Sequence, residues 1–311
     1  MTGPVAAIDC GTNAIRLLVG EVRQDGTLDE RERLMRIVRL GEGIDRTGMF
    51  SAEALRRTFA AVDEYAAVIS RAGAVRTRFV ATSASRDARN REAFIAGVQE
   101  RLGVLPEVIS GEEEAALSFE GAVRGLPPGR VTPPALVVDI GGGSTEFVLG
   151  RSAPEHSASV DVGCVRMTER HLVGDPPTAS EVAAARADID AAVARAGRQV
   201  PFAAAGCLVG LAGSVTTVAA MAMDLPEYDA AVLHGAVIAF EEVVEVTARL
   251  IAMTRAERAA LPFMHPGRVD IIAGGAMVLE AAMRAAGAPS VVVSETDILD
   301  GIVYRIAHDS G

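Results

Sequence analysis

The sequence predicts an α/β protein in which one unit is duplicated and the two copies face a central cleft. Three observations predict it. Asp139-Ile-Gly-Gly-Gly-Ser-Thr-Glu146, with the apolar run 135–138 before it and Phe147-Val-Leu149 after it, reads as two strands joined by a tight glycine turn. The stretch occurs twice: Asp9-Cys-Gly-Thr-Asn-Ala-Ile-Arg16, continued by Leu17-Leu-Val-Gly20, overlays Asp139 to Gly150 without a gap. Asp9 falls on Asp139, Gly11 on Gly141 and Arg16 on Glu146, about one domain length apart. Strands, glycine turns and helices alternate in both halves, the pattern of an α/β chain.

Each glycine stretch suits phosphate. Glycines admit positive φ and close approach of a ligand to the main chain. Successive N–H groups in such a turn form an anion-binding nest. Asp139 and Glu146 stand at the two ends of the second turn, where they would repel phosphate unless a hard cation sat between them, so the stretch implies Mg²⁺. The plain alternative is a glycine-rich hairpin with two solvated acids.

Bulk composition narrows the classes. A chain of 311 residues, half of them apolar, suggests two globular domains. The start lacks the basic and long apolar segments of a secretory signal. Residues 199–223 are uncharged and long enough for a membrane span, but Pro201, Gly206, Gly210 and Gly213 make them strand, turn and helix, so no membrane is expected. Cys10, Cys164 and Cys207 are scattered and odd in number, which fits reduced thiols in a cytoplasm and excludes a zinc cage. The net charge of −11 argues against nucleic acid as a partner. All 30 basic residues are arginine, so any cationic phosphate contact is a guanidinium, and Walker or Schiff-base lysine chemistry is impossible.

Taken in order, Val5 to Asp9 and Ile15 to Val22 form the first hairpin. Leu28 to Leu40 returns as a third strand, carrying Arg31, Arg33, Arg36 and Arg39 as a cationic face for a polyanion. Ser51 caps a helix to about Arg71, with Leu55, Phe59, Val62, Ala66 and Ile69 on its apolar face. Strand Arg78 to Ala81 enters Thr82-Ser-Ala-Ser-Arg-Asp-Ala-Arg-Asn90, where hydroxyls and an Arg fork at a helix start suit an anion; an ordinary capped helix explains the spacing equally well. A helix from Asn90 to Leu102 and a strand Glu107 to Ile109 follow. Ser110 then caps a helix opening on Glu112, Glu113 and Glu114, acids that complement the helix dipole.

Gly125 to Pro134, with four prolines and two glycines, is the clearest linker, so the domains are expected at 1–126 and 127–311. Beyond the second hairpin come a strand 155–160, a turn into a helix at Asp161 to Arg166 and a helix from Thr178 to Arg195. Strand Cys207 to Ala212 enters a third glycine–hydroxyl turn, Gly213 to Thr217. Helices 240–253 and 268–286, strand 291–294 and a closing helix 297–307 complete the chain.

Asp9 to Arg16, Ala81 to Asn90, Ser110 to Ala115, Asp139 to Glu146, Gly210 to Thr217, His234-Gly235 and Arg268 to Gly275, in this order, resemble the exopolyphosphatase / guanosine pentaphosphate phosphohydrolase family over nearly the whole chain. The resemblance implies the actin-like, sugar-kinase and Hsp70-like fold: two ribonuclease-H-like domains around a cleft, here in the short form without a C-terminal helical domain. It implies hydrolysis of the terminal phosphoanhydride of inorganic polyphosphate, with guanosine pentaphosphate hydrolysis as the alternative. A catalytically silent polyphosphate or nucleotide binder is a third reading, and an ATP-dependent kinase would need an acceptor site of its own. By the same resemblance Glu114 is the base that activates water. Asp139 and Glu146 serve Mg²⁺ (or Mn²⁺) and catalysis, and Arg86 lies near the terminal phosphates; from the residues themselves, Asp9 is expected as a third oxygen ligand beside the two phosphate loops. Gly11, Thr12, Asn13, Arg16, Gly141, Gly142, Gly143 and Ser144 form the phosphate loops, with Arg268 as an additional clamp. A role in the stringent response and a homodimer go with the resemblance. Ala14 departs from the family's serine, removing a hydroxyl that would contribute about 0.5–1.5 kcal/mol to a phosphate hydrogen bond.

Overall fold

Residues 3–308 are described in the computed structural model of the chain. The chain divides into two compact units: residues through 121 together with those from 298 onward, and residues 122–297.

The first unit is built on a five-stranded sheet. Strands β1 (Val5–Cys10), β2 (Ala14–Val22) and β3 (Leu28–Ile37) form an antiparallel meander, and β4 (Arg76–Ala81) and β5 (Glu107–Val108) extend it parallel to β1, in the order β3-β2-β1-β4-β5. The second unit repeats the plan. β6 (Ala135–Ile140), β7 (Thr145–Gly150) and β8 (Pro154–Val160) make the meander, β9 (Cys207–Leu211) runs parallel to β6, and β10 (Val237–Ala239) and β11 (Ser290–Ser294) complete a sheet ordered β10-β11-β9-β6-β7-β8. A meander extended by parallel strands, in both units, is the duplicated ribonuclease-H-like arrangement. The glycine repeat fixes this topology, because each copy joins the first two strands of its unit.

Local signals explain most element ends. Ser51 accepts from the Ala54 N–H at 3.1 Å to start helix Ala52–Ala72, and Thr178 with Glu181 forms a capping box on helix Ala179–Gly197. The apolar face of helix Ala52–Ala72 is rotated from the expected one. It buries Ala54, Thr58, Ala61, Val62, Tyr65, Val68 and Ile69, while Leu55, Phe59 and Ala66 are half-buried. Two polar side chains make the difference: the Thr58 hydroxyl donates to Ala54 O at 2.8 Å and the Tyr65 hydroxyl to Ile15 O at 2.9 Å. Both bury without an unsatisfied group.

The expected division at residue 126 is corrected in two respects. Compactness changes hands at residue 121, within helix Gly111–Gly125 and ahead of the proline-rich linker, and helix Ile298–His308 packs with the first unit. Its Ile298, Leu299, Ile302, Val303 and Ile306 share one apolar cluster with Val5, Ala7 and Leu18. The arginine-rich strand β3 is also corrected. Arg31 pairs with Glu21, Arg33 with Glu30 and with the buried Asp300, and Arg36 with Glu64, so these charges are matched by carboxylates of their own unit.

Candidate active site

In the first unit, the glycine turn joins β1 to β2. Asp9 lies opposite Arg16 in the ladder, and the Arg16 Nε and Nη2 groups both donate to Asp9 Oδ2, at 3.1 and 2.5 Å. The Asp9 carboxylate is buried and its charge is met within the hairpin. The turn itself is clamped from segment 38–41: Gly41 N–H donates to Thr12 O at 2.9 Å, and the N–H groups of Val38 and Arg39 donate to Asn13 O at 3.0 and 2.8 Å. A Cβ on Gly41 would stand 2.4 Å from Thr12 Cγ2 and 3.1 Å from Ala84 Cβ, so glycine is what lets these segments close up. Thr12 is buried, and among the described residues its Oγ1 has no hydrogen-bond partner. A buried hydroxyl in that state has a hydrogen bond to offer, and its chemistry fits a phosphate oxygen.

β4 delivers Thr82 beside this turn, its N–H donating to Cys10 O at 3.2 Å, and the short helix Ser83–Asp87 carries Arg86. Arg86 Nη1 donates to Ile109 O at 3.0 Å and to Glu114 Oε2 at 2.7 Å, uniting two residues that the sequence places 28 positions apart. The three glutamates of helix Gly111–Gly125 differ in environment. Glu112 is exposed; Glu113 bonds Arg78 at 2.7 Å, and its N–H is capped by Ser110 Oγ; Glu114 is only 9% exposed. Glu112 therefore faces solvent and Glu113 a surface arginine, which leaves Glu114 as the buried glutamate, held by Arg86.

In the second unit, Asp139 and Glu146 are directly opposed on β6 and β7, and both are buried. Ser159 Oγ donates to Glu146 Oε1 at 2.7 Å. The intervening glycines owe their orientation to helix Cys164–His171. Gly141 O accepts from Cys164 N–H at 3.0 Å, Gly142 O from the N–H groups of Val165 and Arg166 at 2.9 and 3.1 Å, and Gly143 O from Arg166 Nε at 2.7 Å. In a trans peptide the C=O and the following N–H point in opposite directions. Three carbonyls drawn towards that helix therefore turn the N–H groups of Gly142, Gly143 and Ser144 the other way. The glycines give close approach here, not left-handed backbone. None of Gly141, Gly142 and Gly143 is among the positive-φ residues described, whereas a Cβ on Gly163 would lie 2.5 Å from Gly142 O.

Arg268 belongs to the third glycine turn. Its Nη1 donates to Thr217 Oγ1 at 3.0 Å, its guanidinium lies 5.8 Å from the Tyr228 ring centroid, and a Cβ on Gly213 would sit 2.5 Å from it. Tyr228 donates to Glu295 Oε1 at 2.6 Å, and burial with the Glu295 charge pushes its hydroxyl up to about 12. His234 is a structural link: Nδ1 accepts from Glu295 N–H at 3.2 Å and Nε2 lies 2.9 Å from Gly125 O. Gly163 and Arg166 escaped the sequence reading as site residues. Their signal was present in Asp161-Val-Gly-Cys-Val-Arg166, a glycine and an arginine at a helix start just after the meander.

For a cation, the donor chemistry fits. Asp139 and Glu146 are opposed carboxylates, an arrangement that like charges disfavour without a counter-charge. Mg²⁺ binds through one or two carboxylates plus waters and phosphate oxygens. Among the described residues no three His, Cys, Asp or Glu side chains gather into an all-protein metal cage. Asp9, expected as a third ligand, is engaged by Arg16, so Asp139 and Glu146 are the better-suited pair. Among the described residues no helix is long and apolar enough to cross a membrane.

The chain is 50% identical over 315 aligned positions to exopolyphosphatase 2 of Mycobacterium tuberculosis, covering 97% of this chain and 98% of that protein. A crystal structure of an exopolyphosphatase-like protein matches with a TM-score of 0.93 at 43% identity over 99% of this chain and 100% of that one. The Aquifex aeolicus Ppx/GppA family member matches with a TM-score of 0.82 at 26% identity, covering 99% of each chain. The profile of the Ppx/GppA phosphatase family matches residues 22–310, and this chain belongs to that family.

Proposed function

We propose that the protein is an exopolyphosphatase, hydrolysing the terminal phosphoanhydride of inorganic polyphosphate to orthophosphate. The observation that carries the reading is the buried Glu114 carboxylate held by Arg86, in a chain half-identical to a protein named exopolyphosphatase. Phosphoryl transfer asks for positioning, charge neutralisation and an oriented water more than covalent chemistry. Glu114 accepts the proton of the attacking water, and Arg86 fixes the carboxylate while adding positive charge. In the second unit the N–H groups of Gly142, Gly143 and Ser144 suit phosphate oxygens, and in the first unit the Thr12 hydroxyl does so by itself. Mg²⁺ on Asp139 and Glu146 would neutralise charge developing on the phosphoryl group.

The decisive assay incubates the purified protein with polyphosphate and Mg²⁺ and follows orthophosphate. Release of orthophosphate with stepwise shortening of the chain supports the reading. Release from guanosine pentaphosphate alone moves the substrate to the nucleotide, and binding of polyphosphate without release makes the protein a polyphosphate sensor.

A further inference from the structure

We infer that Arg166 is a positioning residue for the second phosphate loop, holding Gly143 so that the Ser144 N–H faces the substrate and placing a buried cation behind that nest. The inference rests on the reading of this loop as a phosphate cradle. Arg166 is 9% exposed, at the start of helix Cys164–His171, and it meets the loop twice: its N–H on Gly142 O and its Nε on Gly143 O. The latter bond, at 2.7 Å, comes from a side chain and is shorter than the backbone bonds at 2.9–3.1 Å that Gly141 O and Gly142 O accept. The corresponding turn of the first unit is held differently. Its Thr12 and Asn13 carbonyls accept from backbone N–H groups of Gly41, Val38 and Arg39, and its arginine, Arg16, spends two donors on Asp9.

The asymmetry has a physical sense. A carbonyl bonded by a guanidinium is polarised, and the peptide it belongs to donates more strongly from its N–H. That peptide is Gly143–Ser144. The charge also counts by itself: in a buried setting it is screened less than at the surface and favours an anion on the opposite side of the loop. Asp139 and Glu146 carry negative charge into the same hairpin, so a fixed cation under the turn offsets their repulsion of phosphate. Arg166 therefore acts on binding of the phosphate more than on proton transfer.

Three variants test this in the full-length protein: Arg166→Lys keeps charge and a donor, Arg166→Gln keeps a donor only, and Arg166→Met keeps neither. The readouts are KM for polyphosphate, kcat, and the dissociation constant of pyrophosphate by calorimetry, each at matched ionic strength. KM and the pyrophosphate constant are expected to rise about tenfold or more in Arg166→Met and to a lesser degree in Arg166→Gln, as for loss of a charge-assisted hydrogen bond. Arg166→Lys is expected to restore most of the affinity, with kcat changed less than KM throughout. A purely structural arginine would lower Tm and leave the folded fraction's KM and pyrophosphate affinity within twofold of wild type, and that result would overturn the inference. Should Arg166→Met not fold, Arg166→Gln with unchanged affinity is the overturning outcome. Pyrophosphate binding needs no turnover, so an inactive wild type would remove the proposed hydrolysis while leaving this inference decidable.

Discussion

Arg86 and Glu114 meet at 2.7 Å, from two different helices, with Ile109 O as the third member of the contact. A general base must be held within reach of the water whose proton it takes, and this contact fixes where the Glu114 carboxylate sits. Glu114→Gln keeps the shape and removes the ability to take that proton. Its kcat should fall by about 10²–10⁴-fold while KM changes little. Glu112→Gln and Glu113→Gln, which alter an exposed side chain and a surface ion pair, should each retain most activity. A crippled Glu113→Gln beside a healthy Glu114→Gln would reassign the base.

The same contact predicts coupling. Arg86→Ala should reduce kcat/KM by itself and should cost much less in a Glu114→Gln background. The double-mutant cycle is expected to give an interaction of about 0.5–3 kcal/mol. Additive losses would mean that Arg86 acts on the substrate independently of Glu114.

Metal dependence separates the three aspartate and glutamate candidates. EDTA should abolish phosphate release, and Mg²⁺ or Mn²⁺ should restore it. Half-saturation by Mg²⁺ should move to higher concentration in Asp139→Asn and Glu146→Gln. Asp9→Asn should move it less and lower Tm more, because it strands Arg16. Equal metal shifts in all three variants would return Asp9 to the ligand set.

Burial lowers the affinity of His265 for a proton, and the Arg268 charge adds to this. Its folded value lies below the ordinary 6.5, so over the window beneath 6.5 the unfolded chain binds more protons than the folded one. Stability rises with pH across that window and is lost as pH falls through it. Tm should therefore drop more steeply between pH 7 and 5.5 in wild type than in His265→Asn. Parallel Tm profiles would show that His265 carries none of the acid sensitivity.

Gly163→Ala places a methyl 2.5 Å from Gly142 O, inside van der Waals contact. Overpacking against backbone should destabilise by about 1–3 kcal/mol in denaturant titration, with loss of activity in the fraction that folds. Gly197→Ala serves as the control, since its Cβ would meet Phe202 at an ordinary 3.4 Å.

Much of this was legible in the sequence because the informative residues are local. The glycine repeat gave both meanders, Ser51 and Thr178 gave helix starts, and Ser110 gave the cap of the helix that carries Glu114. What stayed hidden depends on partners distant along the chain. The rotated face of helix Ala52–Ala72 follows from a tyrosine reaching Ile15 O, 50 positions away. The arginines of β3 read as a polyanion face until their carboxylates, up to 267 positions away, are seen beside them. Arg166 looked like one helical arginine among many, and only the carbonyl it touches reveals its place.

Helix Ile298–His308 gives the first unit a peculiar timetable. A sheet whose strands β1 and β2 are made long before this helix has only part of the aliphatic cover for Val5, Ala7 and Leu18, from Ile109 and Leu117, until Ile298 to Ile306 have been made. At about 5–20 residues per second that interval is on the order of a quarter of a minute to a minute. During it a strip of valine, alanine and leucine is partly open to water and to other nascent chains, while residues 122–297 already hold everything their own core needs. The half of the molecule that is synthesised first is thus the half that matures last.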